Sequence, residues 1–393
     1  MTSKDIELLQ YECTLMPLTP IQIGDGKDLS PFDYILKNKE FYRIEISEVL
    51  EKMPENIRNE FIKTLEERSM VSARKFLKNN YKKEYGYLYK CSVDDEFSRL
   101  YEQKIGGTNK PNEENQLIVG EFIGTHRGKY IPGSTIKGAL RTAYLSGNFD
   151  IEKDFYKLKR ETENRYGKKL ETKPFKSILN EKTLIKNIES RILELTTLEP
   201  KFDPFKNFKV TDTEIRNDIT EIRNILRKGI KKDKLSMPMG SFEVTKSLFG
   251  SNENIKLQFQ INIKNLSRDA KKIYIASSKQ KNGEILVKDT IDFYLDDGSE
   301  ILSSLNEKAE KMIQEDIKFF KKIKDNNSLN FCEELLKYKQ NLKENQALIR
   351  IGRGAGFNST TFNLFNQKTE EVFTRVTVDD MPIGWALITC NII

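Results

Sequence analysis

Apolar positions along this chain switch between a two-residue and a three-to-four-residue spacing, and the changes of period mark its elements. Residues 11–23 are a run of apolar, Thr and Pro positions closed by Gly24-Asp25-Gly26, which predicts a strand and a turn. Tyr34-Ile35-Leu36 and Phe41-Tyr42-Arg43-Ile44 flank Lys37-Asn38-Lys39-Glu40 in the pattern of a hairpin. Val49, Leu50, Met53, Ile57, Phe61 and Leu65 recur at three or four steps and predict helix within 47–80. A loop follows at 106–112, then a strand from Leu117 to Ile123. That strand feeds a Pro132-Gly133 break and a helix with a buried stripe of Ile136, Leu140 and Tyr144, flanked by Ala139 and Ala143.

Beyond residue 150 the pattern loosens. Residues 151–200 are polar, lysine-rich and mostly helical in character. For 212–228, Ile215, Ile219, Ile222 and Leu226 fit a helix stripe, a reading that the family resemblance described below opposes. Met237-Pro238-Met239-Gly240 is a break. Leu257, Phe259, Ile261 and Ile263 alternate with polar residues as in a half-buried strand. Residues 305–345 predict one or two helices anchored by Phe319-Phe320 and Leu335-Leu336. A short strand from Ala347 to Ile351 and a closing strand from Trp385 to Ile393 complete the chain. Short strand groups separated by helices predict an α+β fold, not a doubly wound sheet.

Candidate chemistry sits at the breaks. A helix start carries unpaired N–H groups and a partial positive charge, which suits a phosphate. Ser134 or Thr135 is expected to cap the helix after Gly133, with Lys137 and Arg141 rising on the face above Ser134. Gly352-Arg353-Gly354-Ala355-Gly356 is a glycine loop with neither the spacing of a dinucleotide fingerprint nor that of a P-loop. Glycines there let backbone N–H groups approach a ligand. Arg350 and Arg353 add charge, Phe357 offers a ring for stacking, and the polar run begins at Asn358. Gly24 and Gly26 form a similar, smaller turn.

Charge sharpens this picture. Of 66 basic and 59 acidic residues, residues 151–235 hold 22 and 15, so the whole net charge of +7 lies in that segment. Its densest part contains Arg223, Arg227, Lys228, Lys231, Lys232 and Lys234, a cluster that suits a polyanion. Four dispersed cysteines and the single histidine, His126, argue against a Cys/His metal site, and Asp25, Asp28 and Asp33 match no standard metal loop. No metal or cofactor is expected. No apolar run approaches the ~18 residues of a membrane span. The start of the chain has no apolar signal core, so a cytoplasmic location is expected.

Taken in order, four segments resemble a known family. Leu18-Thr19-Pro20-Ile21-Gln22-Ile23-Gly24-Asp25-Gly26 looks like the opening strand and glycine turn of the RAMP proteins of CRISPR systems. Ile131-Pro132-Gly133-Ser134-Thr135 opens the helix described above, and Phe208-Lys209-Val210-Thr211-Asp212-Thr213 resembles the "VSDS"-type segment of one subfamily. Arg350 to Phe357 resembles the RAMP glycine-rich loop, followed by Pro382-Ile383-Gly384-Trp385. The set is similar to the RAMP subunits of the type III-A CRISPR effector, the Csm complex, and among them to the family of its fifth subunit. Gln22 departs from the histidine that the RAMP pattern often places before this glycine.

The resemblance implies two packed ferredoxin-like (RRM-like) modules with helical, lysine-rich insertions, here placed at 1–150 and 236–393 around a basic, mostly helical insertion at 151–235. It favours a strand near Ile219 to Leu226. It implies a non-catalytic crRNA-binding subunit that caps the 3′-end side of the effector and supports crRNA maturation and antiviral defence. Partners would be crRNA, target RNA, neighbouring RAMP backbone subunits and a small helical subunit, with no membrane. The expected RNA-binding residues are Gly24, Gly26, Gly133, Ser134, Thr135, Lys137, Arg141, Arg227, Lys228, Lys231, Lys232, Arg350, Gly352, Arg353, Gly354, Gly356, Phe357 and Asn358. The alternative is a metal-independent endoribonuclease using His126 as acid or base, which leaves its second acid–base partner to Lys or Tyr.

Overall fold

A computed structural model describes residues 6–67, 70–106, 117–167, 181–193, 203–231, 234–266, 299–356 and 374–393. Its strands are β1 (Ile6–Pro17), β2 (Gly24–Leu29), β3 (Tyr34–Lys37), β4 (Glu40–Arg43), β5 (Tyr89–Val93), β6 (Val119–Phe122), β7 (Gly124–Thr125), β8 (Gly128–Lys129), β9 (Phe208–Val210), β10 (Thr220–Lys231), β11 (Lys234–Thr245), β12 (Leu257–Leu266), β13 (Gln346–Arg350), β14 (Thr374–Val378), β15 (Met381–Pro382) and β16 (Trp385–Ile392). Its helices are α1 (Ile46–Lys52), α2 (Glu55–Glu67), α3 (Met70–Asn80), α4 (Asp95–Lys104), α5 (Gly133–Gly147), α6 (Lys157–Tyr166), α7 (Glu181–Ile192), α8 (Leu248–Ser251), α9 (Ser299–Ile323) and α10 (Asn326–Gln340).

Among the described residues two large sheets carry this α+β fold, and β7 and β8 form a separate two-stranded pair. The first is antiparallel throughout, in the order β13-β16-β1-β12-β9. The second runs β2-β6-β11-β10-β5-β4-β3, with β14 on β10 and β15 on β14. Alternation in β12 and β1 turns Phe259, Ile261, Ile263, Tyr11, Cys13 and Leu15 onto one face, where Ile136, Leu140, Ala143 and Tyr144 of α5 cover them. Met16, Leu348, Trp385 and Leu387 point the other way, into a cluster with Met312, Ile313 and Phe320 of α9 and Leu335 of α10. These two helices form a hairpin, and the Asp325 side chain caps the second by accepting the Ser328 N–H. Among the described residues no helix is long and apolar enough to cross a membrane.

Residues 220–231 form a strand, which resolves the competing readings of this stretch. The three-residue spacing of Ile219, Ile222 and Ile225 arises because β10 is covered on both faces. Ile222 packs with Phe97 and Tyr101, and Ile225 packs with Val244, Val378 and Ile383. A strand buried on both sides loses its simple alternation. The division at 235/236 is corrected by the same strand: it cuts the β10–β11 hairpin, whose register runs from Thr220↔Thr245 to Lys231↔Lys234. Among the described residues, segment 151–235 holds helices α6 and α7 in its first part and strands β9 and β10 in its later part. The helical stretch at 47–80 is three helices. Pro54 separates α1 from α2, since proline cannot continue the ladder of N–H donors.

Candidate nucleic-acid interface

The start of α5 is built by a segment some 80 positions away in sequence. The Ile131 N–H donates to Thr213 Oγ1 at 2.9 Å and the Thr213 N–H to the Ile131 carbonyl at 3.0 Å. The Gly133 N–H donates to Asp212 Oδ1 at 2.7 Å. A Cβ on Gly133 would lie 2.4 Å from the Val210 carbonyl oxygen and 2.5 Å from that of Thr211, so only glycine permits this approach. The N-cap is Pro132, with no side-chain cap of its own, and Ser134 is exposed. The expected Ser134 cap is thereby corrected. Thr135 donates its N–H to the Pro132 carbonyl at 2.9 Å. A carboxylate of the chain itself occupies the helix start that the sequence suggested for a phosphate.

Above this cap the α5 face carries charge in two conditions. Arg141 pairs with Glu189 at 3.4 Å and Asp203 at 3.3 Å, and lies over the Phe205 ring at 5.5 Å. It is thereby an internal ion-pair partner on this face. Lys137 is half-buried. Burial holds its ammonium below the usual lysine range, Arg141 and Lys209 push the same way, and Asp203 opposes them. Lys209 is exposed on β9 beside it, and the sequence reading missed this cation because it sat inside a segment read only for its resemblance to a family motif.

The second assembly joins the first turn to the glycine loop. Trp385 donates its N–H to Thr19 Oγ1 at 3.0 Å, Gly384 to the Pro20 carbonyl at 2.9 Å, and Ile351 to the Gly384 carbonyl at 2.9 Å. The Arg353 N–H donates to the Gln22 carbonyl at 2.7 Å, and its Nε to Gln22 Oε1 at 2.9 Å. Its guanidinium lies over the Phe242 ring at 4.8 Å while the residue stays exposed. Gly352 has φ +82°, and a Cβ there would meet the Gln22 carbonyl oxygen at 2.5 Å. Gly354 packs on Val376, Gly356 lies near Arg350, and Gly24 and Gly26 are exposed on β2. Gln22, where the family pattern often has histidine, is thus a buried tether for the loop.

Several expected contacts lie elsewhere. Arg350 is buried: Nη1 donates to Asp316 Oδ2 at 2.8 Å, Nε to the Ile383 carbonyl at 3.0 Å, and the guanidinium lies over Trp385 at 5.2 Å. Arg375 takes the other Asp316 oxygen. Lys228 is also buried, against Asp325 at 2.6 Å, Ser328 Oγ at 3.0 Å and Asp380. Both are corrected from RNA contacts to internal charges, because each finds an acidic partner on a distant element. Arg223 pairs with Glu221 and Asp379, leaving Arg227 exposed, so the basic cluster is not one open patch. Lys231 ends β10; Lys232, Phe357 and Asn358 lie outside the described residues. His126 is exposed between β7 and β8. Among the described residues no group of three His, Cys, Asp or Glu could hold a metal.

Exposed backbone turns with a few cations position phosphates without reading bases. The family model of the RAMP superfamily matches residues 14–359. The chain is 26% identical over 284 residues to the CRISPR system Cms protein Csm5 of Methanocaldococcus jannaschii, covering 71% of this chain and 59% of the relative. It is 27% identical over 171 residues to the protein of the same name from Streptococcus thermophilus, covering 39% of this chain and 44% of the relative. The matches thus span about half the length of these curated relatives. A chain of a cryo-EM Csm–crRNA–target RNA ternary complex of a type III-A CRISPR-Cas system superposes with a TM-score of 0.59 at 17% identity, covering 97% of this chain and 100% of that one. The crystal structure of T. onnurineus Csm5 gives 0.61 at 17%, covering 96% and 99%.

Proposed function

We propose, from the premise that this chain belongs to the RAMP superfamily, that it is a structural crRNA-binding subunit of a type III-A (Csm) effector complex. It caps the 3′-end side of the crRNA, supports crRNA maturation and antiviral defence in the cytoplasm, and abuts a RAMP backbone subunit and a small helical subunit near the target RNA. The observation that carries this reading is the Gln22–Arg353 junction, which ties the 352–356 glycine loop to the segment that leads into β2 and leaves the Arg353 residue exposed. Lys137 and Lys209 offer a second point of phosphate contact beside α5. Such contacts accept many guide sequences, because the phosphate backbone is the same in all of them.

The test is purification of the chain from its native host with sequencing of the RNA that accompanies it. Repeat-derived guides should co-purify with the wild type and fall several-fold with Lys137→Ala/Arg353→Ala. Absence of repeat-derived RNA from the wild type, or an unchanged yield from the double variant, overturns the reading.

A further inference from the structure

Two of the four cysteines face each other across the middle of the first sheet. Cys13 on β1 and Cys390 on β16 are directly opposite in register, and Cys13 Sγ donates to Cys390 Sγ across 3.0 Å. The Cys390 N–H turns away from β1 to the Asn345 carbonyl, and the Ile393 N–H bonds the Gln10 carbonyl three positions along. Cys13 and Cys390 therefore form a non-hydrogen-bonded pair, for which Cα atoms lie about 4.5 Å apart. That spacing falls within the range a disulfide spans, about 4.4–6.8 Å. Cys13 is buried and Cys390 half-buried, whereas Cys91 and Cys332 are buried in separate clusters.

We propose that Cys13 and Cys390 are a redox modification site, which a hydroperoxide converts to a cross-strand disulfide. Cys390 is the sulfur that meets the oxidant, being the more exposed of the two. Its thiolate attacks one peroxide oxygen, the O–O bond breaks, and the leaving oxygen takes a proton as alcohol or water. Cys390 is then a sulfenic acid. Cys13 attacks its sulfur, the S–O bond breaks, and the Cys13 proton leaves with hydroxide as a second water. Two thiols and one peroxide give one disulfide and the reduced oxidant, with two electrons transferred. The bond ties β16 to the central strand β1 and closes a loop of nearly the whole chain, which restricts the unfolded state.

The experiment treats the full-length protein, in native buffer, with a small excess of hydrogen peroxide, then counts thiols and maps peptides by mass spectrometry. Free thiols should fall from four to two, a Cys13–Cys390 linked peptide should appear, and dithiothreitol should reverse both. The oxidised protein should melt at a higher temperature than the reduced one. Cys390→Ser should leave Cys13 a thiol. Cys13→Ser should stop Cys390 at a sulfenic acid that dimedone traps, and since Cys13 is buried, Cys13→Ala serves as a second variant. Retention of all four thiols, over-oxidation of Cys390 without a link, or links to Cys91 or Cys332 would overturn the proposal.

Discussion

The Asp212 carboxylate caps α5 from 79 positions away, accepting the Gly133 N–H at 2.7 Å. Its cap therefore joins two segments that the sequence marks separately, 131–143 and 208–213. Asp212→Ala should destabilise the fold by about 0.5–2 kcal/mol, the usual worth of an N-cap, and Asp212→Asn should keep most of it. Ser134→Ala should change stability by no more than about 0.5 kcal/mol, as for an exposed position without a special role. Urea unfolding of the three variants checks the order.

Two guanidiniums, Arg350 and Arg375, share the buried Asp316 carboxylate. Asp316→Asn leaves both without a counter-charge and should cost about 3–5 kcal/mol. Arg375→Met leaves one cation on one carboxylate and should cost less. Urea unfolding decides, and equal losses would contradict the shared-carboxylate arrangement.

Lys228 and Arg227 are neighbours in sequence with opposite fates. Lys228→Met strands Asp325 and Asp380, both partly exposed, and should destabilise by about 1–3 kcal/mol, discounted from a fully buried pair. Arg227→Gln should stay within about 0.5 kcal/mol. Melting curves of the two single variants separate them.

Much of the architecture is legible in the period of the apolar residues. The alternation of β12, the stripe of α5 and the helices around Phe320 and Leu335 all stand where the pattern places them. The segments singled out as motifs are the ones that dock together, 131–143 on 208–213 and 18–26 on 350–356 and 382–385. Which cations are taken up by internal ion pairs was not legible. Lys137 and Arg353 differ from Lys228, Arg350 and Arg141 only in what folds against them. Asp325, Asp380, Asp316, Glu189 and Asp203 lie on other elements, and no local spacing announces them. β10 was ambiguous for a related reason: burial on both faces erased its alternation.

Lys308 of α9 is buried, and burial pulls its ammonium down to about 8. The folded state thus binds fewer protons than the unfolded chain between that value and the unfolded lysine pKa of about 10.4. Stability should therefore rise with pH from about 8 to 10. Lys308→Met should stabilise the protein at pH 7 by on the order of 1–3 kcal/mol and remove that rise. Unfolding midpoints of wild type and variant across pH 7–10 test both statements, and parallel pH profiles would contradict them.

The central proposal is that this chain grips the RNA backbone through Lys137, Lys209 and Arg353. Its most direct measurement is the affinity of the purified protein for unrelated single-stranded RNAs at several salt concentrations. The account predicts similar affinities for all sequences and a clear negative slope of log K against log[salt]. Lys137→Ala, Lys209→Ala and Arg353→Ala should each weaken binding uniformly and reduce that slope by about one. Lys209→Ala should leave the melting temperature unchanged, whereas Arg353→Ala should also lower it, because the buried Gln22 Oε1 loses the Nε–H it accepts. A flat salt dependence, strong preference for one sequence, or full affinity in the triple variant would contradict the account.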